Sequence, residues 1–175
     1  MMNISIKRIL SFTISRTFLI DSIALGFILL MPALSHVIGI PLYFIEPMRI
    51  MLVIALILTS RYNAYIIAMV LPLFSFLVSG HPAPVKMLII MSELILNVWL
   101  FIAFYKKTHN PFISMFTSVL LSKIFCYFMY WIVFSWAFVV DESQPIFLLM
   151  QLVVTMVLSA VVSIPALKRS ISAMG

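Results

Sequence analysis

Two charges stand inside long apolar runs, and they are the side chains best placed to do chemistry. Glu93 interrupts the run Met87 to Tyr105, and Lys123 interrupts the run Phe112 to Val140. An ionised group inserted into hydrocarbon costs at least ~2.5 kcal/mol, so it faces a bundle interior or a wet cavity rather than lipid. By helical periodicity Lys86, Glu93 and Asn97 fall within about 60° of one another, which puts a base, an acid and an amide on one helix face. On the second run Tyr127, Tyr130 and Phe134 share a side with Lys123, an ammonium beneath aromatic rings. Gln151, Thr155 and Ser159 recur every fourth residue and mark a polar seam on a third run. Groups of these types suit a polar, ring-bearing ligand, held by charge-assisted hydrogen bonds and stacking. His81, in a turn between prolines, is a further candidate contact. His36, His81 and His109 have no metal-ligand spacing, so no metal site is expected. There is no second carboxylate or nucleophile at the depth of Glu93, and no Walker lysine loop or nucleophile elbow. The expectation is a protein that is not an enzyme, carries no cofactor and does not hydrolyse ATP itself.

The elements that must position these groups follow from composition. The 175 residues are 65% hydrophobic and 9% charged, with a mean hydropathy of +1.24, which requires lipid as solvent. The net charge of +6 is spread over basic residues at the ends of apolar runs, as membrane topology demands, so nucleic acid is excluded as a partner. The single cysteine, Cys126, has no thiol to pair with and says nothing about redox compartment.

Apolar runs at 18–37, 48–60, 64–78, 85–105, 112–140 and 146–167 predict an all-α membrane protein, one domain forming a six-transmembrane-helix bundle. The first run is longer than a signal-peptide core and contains Asp21, so it reads as a retained helix. Ser22 and Gly26, four apart, offer it a small-residue face for close helix packing. Residues 39–47 are apolar but hold Pro41 and Pro47, which predicts a loop lying across the bundle like a lid. Gly80-His81-Pro82-Ala83-Pro84 predicts a rigid elbow before the Glu93 helix. Lys7, Arg8, Arg16, Arg61, Lys106, Lys107, Lys168 and Arg169 fall on one side, against Arg49 and Lys86 on the other, so both termini are expected to be cytoplasmic. Glu93 then lies ~12 Å below the outer helix end and Lys123 ~16 Å above the inner one. In a core ~30 Å thick these depths nearly coincide, which predicts that the two charges are neighbours. Such a pair can serve structure, ligand binding or both.

The chain resembles the substrate-binding S components of energy-coupling factor (ECF) transporters, bacterial six-helix membrane proteins that capture vitamins and related micronutrients. The likeness spans most of the chain. It rests on size, helix count, the apolar loop after helix 1, short helices 2 and 3, and Ser79-Gly80-His81-Pro82-Ala83-Pro84 followed by Met91-Ser92-Glu93-Leu94. It implies an outward pocket bounded by the first loop, the loop after helix 3 and helices 4 to 6, with His81, Lys86, Glu93, Asn97, Tyr127, Tyr130 and Gln151 as substrate contacts. It also implies residence in the bacterial cytoplasmic membrane and two kinds of partner, a transmembrane scaffold subunit and ATPase subunits. Ser22 and Gly26 approximate the small-residue face with which the family docks on that scaffold. The rival reading is a non-transport scaffold similar to the small membrane proteins of bacterial rod-shape complexes, which needs no pocket.

Overall fold

Each helix boundary is set by local chemistry. In the computed structural model, which describes residues 2–39, 42–80, 82–134 and 144–164, six α-helices run in order. They are α1 (Met2–Ile38), α2 (Pro47–Leu58), α3 (Arg61–Ser79), α4 (Pro84–Thr108), α5 (Pro111–Phe134) and α6 (Gln144–Val162), with a short 3-10 turn, Leu42–Ile45, before α2. Proline occupies the first helical position of α2, α4 and α5, where the missing N–H costs nothing. The Ser60 hydroxyl accepts the Asn63 N–H at 3.2 Å and starts α3 at Arg61, three residues ahead of the expected start at 64. Gly80, at φ 67°, closes α3 in the left-handed conformation that glycine adopts without steric cost. The α6 helix stops at Val162 rather than 167, because Ser163 and Ile164 turn ahead of Pro165, a residue that disfavours helical backbone before it. The expected extension of helix 5 through 135–140 lies outside the described residues. Pro32 and Pro72 sit inside α1 and α3 without ending them.

Four stretches are long and apolar enough to cross a membrane: Ser15–Ile38, Arg61–Ser79, Pro84–Thr108 and Pro111–Val133. The apolar helices Pro47–Leu58 and Met150–Val162 are shorter. The distribution of polarity fits lipid as solvent. Phe18, Leu77 and Trp131 are each about 70% exposed, whereas Arg49, Glu93, Asn97 and Gln151 are buried. Among the described residues the secondary structure is entirely helical.

The most extensive contact joins α4 to α5, with α3 against α4 and α6 against α5. The short α2 touches α1, α3, α4 and α6, and its Leu52, Val53, Ala55 and Leu56 lie at the centre of the core. Ser114, Ser118 and Ser122, four apart on α5, are fully buried. Ser118 and Ser122 return their hydroxyl hydrogens to the carbonyls of Met115 and Val119, so the polar atoms are satisfied while small side chains allow close approach. Asn97 of α4 donates to the Ser122 hydroxyl at 3.3 Å, a polar link within this seam. At the far end of α2, the Asn63 amide donates to Asp21 at 2.7 Å and to Thr59 at 3.2 Å, tying α3 to α1.

Overfilling this seam should therefore cost stability. Ser118→Leu is expected to destabilise by ~1–3 kcal/mol in thermal unfolding of the detergent-solubilised protein. The neighbouring, half-exposed Thr117→Leu should stay within about 0.5 kcal/mol of wild type. Equal effects would show that the serines do not form the contact.

Candidate ligand site

The first residues of α2 present their polar groups to α4 and α5. Glu46, immediately before α2, adopts φ 53° and ψ 58°, a left-handed conformation that a residue with a side chain enters at a cost of order 1–3 kcal/mol. Pro47 follows it, so the chain turns sharply and brings Glu46 alongside Arg49, three residues on. Arg49 Nη1 donates to Glu46 Oε2 at 2.6 Å. Its Nη2 pairs with Glu93 Oε1, reaching from α2 to α4. Lys123 from α5 pairs with Glu46 Oε1, and its Nζ lies 3.5 Å from Glu93 Oε1. The result is a closed ring of two acids and two bases in which every charge has two opposite neighbours.

Burial makes the ring consequential. The Arg49 and Glu93 side chains are only 3% and 7% exposed, and Glu46 and Lys123 11% and 16%. Removing such charges from water costs several kcal/mol each, offset only when opposite charges and hydrogen bonds surround them. The formal charges cancel two against two. Two buried ring atoms make no hydrogen bond among the described residues: Glu46 Oε1, which the Lys123 ammonium neutralises, and Arg49 Nε, which faces no acceptor. Cys126 is buried beside Glu93 and adds its thiol to the wall. The Tyr127 hydroxyl donates to Gln151 Oε1 at 3.1 Å and joins α5 to α6, while Thr155 and Ser159 return their hydroxyls to carbonyls of their own helix.

Glu93 and Lys123 are thus neighbours, as their depths predict, but through a larger cluster. Asn97 is buried one turn beyond Glu93 and bonds Ser122. Tyr127 and Gln151 meet each other, and Tyr130 is half-buried on α5. Lys86 departs from expectation. It keeps helical register with Glu93 but sits exposed in the first turn of α4, where its long stem carries the ammonium to the surface. His81 lies outside the described residues. Ser22 is exposed and Gly26 half-buried, with open space where a Cβ on Gly26 would lie; α1 packs inward through Ala24 and Ile28 instead.

Glu46 and Arg49 are the members that the sequence reading leaves out of the site, counting Arg49 only among the charges on the outer side. A signal was there. Arg49 follows Glu46 by three residues and is flanked by Met48, Ile50 and Met51, so a helix beginning at Pro47 draws it inward with the apolar residues. The serines at 114, 118 and 122 are equally visible as a repeat of small residues with a period of four.

Chemically the cluster holds no nucleophile apart from the buried Cys126 thiol, and it offers charge-assisted donors and acceptors at fixed positions. A scan against protein families and searches of curated proteins and of solved structures returned no match.

The ring predicts a characteristic stability pattern. Arg49→Met and Glu93→Gln should each destabilise by ~3–5 kcal/mol, because each leaves one buried charge uncancelled. The double variant retains the neutral Glu46–Lys123 pair and should lose less than either single variant. Thermal unfolding in lipid nanodiscs reads this directly, and additive losses would contradict the ring.

Proposed function

We propose that this chain is the substrate-binding component of an ECF-type importer in a bacterial cytoplasmic membrane, capturing a vitamin or related micronutrient. The observation that carries the reading is the buried cluster of Glu46, Arg49, Glu93 and Lys123, with the unpartnered Arg49 Nε inside it. Polar groups this deep in an apolar bundle are costly to retain and mark binding sites or pathways. The 3-10 turn Leu42–Ile45 runs directly into Glu46 and packs on α1, α2 and α6, which suits a covering loop. Tyr127, four residues from Lys123 on α5, and its partner Gln151 on α6 supply a ring and an amide. In this reading the six helices are six crossings with both termini cytoplasmic, a sidedness supported by the basic residues at one set of helix ends. The ligand enters from outside. Energy from ATP comes from separate ATPase subunits through a transmembrane scaffold subunit, since the chain has no nucleotide-binding motif. The face of α1 that carries exposed Ser22 and half-buried Gly26 is the docking surface for that subunit.

A second reading has its own support. The four charges satisfy one another, as a purely structural clasp requires, and this favours a membrane scaffold similar to rod-shape-determining proteins. Isothermal titration of the purified protein with a vitamin panel separates the two. Glu93→Ala and Tyr130→Ala should weaken the bound ligand at least ~10-fold, the value of one lost charge-assisted hydrogen bond or stacking contact. Asp141→Ala, in the acidic pair Asp141-Glu142 away from the ring in sequence, should bind like wild type. If no panel member binds, or all three variants bind alike, the scaffold reading replaces this one.

A further inference from the structure

We infer that the site takes a ligand of zero net charge that presents a hydrogen-bond acceptor to Arg49 Nε, and that it discriminates against net anions and net cations. The inference rests on the importer reading and narrows its substrate class. Its basis is the balance of the ring. Glu46 and Glu93 carry two negative charges, Arg49 and Lys123 two positive ones, and each carboxylate touches both bases. An entering anion must draw Arg49 or Lys123 from a carboxylate that is itself buried, leaving three negative charges against two positive. An entering cation meets the converse. Either leaves one uncancelled charge in an apolar bundle, a penalty equivalent to at least ~70-fold in affinity. A neutral or zwitterionic molecule adds no net charge and can still accept from Arg49 Nε, a buried donor with no partner among the described residues. Arg49 is 3% exposed, and a donor so deep normally has a hydrogen-bond partner, which a ligand acceptor would supply.

The test uses ligand pairs that differ in charge more than in shape: riboflavin and its phosphate, pyridoxine and its phosphate, nicotinamide and nicotinate, and biotin amide and biotin, with thiamine as a cation. Each is titrated into the full-length protein in nanodiscs. In whichever pair binds, the uncharged member should bind at least ~70-fold tighter. Two variants shift the balance in opposite directions. Glu46→Gln leaves the ring with one excess positive charge and should move preference toward the anionic member. Lys123→Met leaves one excess negative charge and should move it toward cations. Thermal unfolding identifies which variants fold, and either folded variant suffices. If the charged member binds as well as the uncharged one, or the folded variant leaves the preference unchanged, the inference is overturned while the importer reading stands. If nothing in the panel binds to wild type, the importer reading fails and takes this inference with it.

Discussion

Charges buried in an apolar bundle must cancel locally, and this constraint organises the protein. Glu46, Arg49, Glu93 and Lys123 come from three separate segments, yet none can be housed without the others. The left-handed backbone at Glu46 becomes intelligible in this light. Its conformational cost is met by two ion pairs that a more relaxed turn into α2 would not place together. The same constraint explains how a helix as short as α2 holds a central position. Its first turn is fixed by charge, its middle by Leu52, Val53 and Leu56, and its far end by the Thr59 and Asn63 contacts.

Close approach of α4 and α5 is the second requirement. Glu93 and Lys123 meet because Ser114, Ser118 and Ser122 remove bulk between the helices, and Asn97 fixes the pair on the seam. Packing and electrostatics are coupled here. Widening the seam would separate Lys123 from Glu93, and deleting the ring would remove much of the polar reason for the two helices to share this face. On the other side of α5, the Tyr127–Gln151 bond recruits α6 and the polar seam it carries.

Much of this arrangement is legible in the sequence because apolar length and interior charge are strong signals. Glu93 and Lys123 stand out by type, and helix rise alone brings their depths into agreement. The helices were legible to within a few residues where Pro and Gly mark the ends, as at Gly80 and Pro84. What escaped was contact between segments far apart in the chain. Arg49 lies near a helix end, and position along the sequence cannot distinguish an arginine reaching outward from one drawn inward by Glu93, which lies on another helix. Lys86 shows the opposite error: helical phase puts it with Glu93, but exposure depends on how far the first turn of α4 projects beyond its neighbours. Partner choice among buried charges is a tertiary property.

A balanced ring requires Glu93 to be ionised inside the bundle. Infrared difference spectroscopy between wild type and Glu93→Gln, in lipid nanodiscs at neutral pH, reports this directly. The expected result is loss of an ionised-carboxylate stretch, with the remaining carboxylate bands perturbed through the shared bases. Loss of a protonated-acid carbonyl stretch instead would mean that Glu93 is neutral, and the balanced ring of four charges would be contradicted.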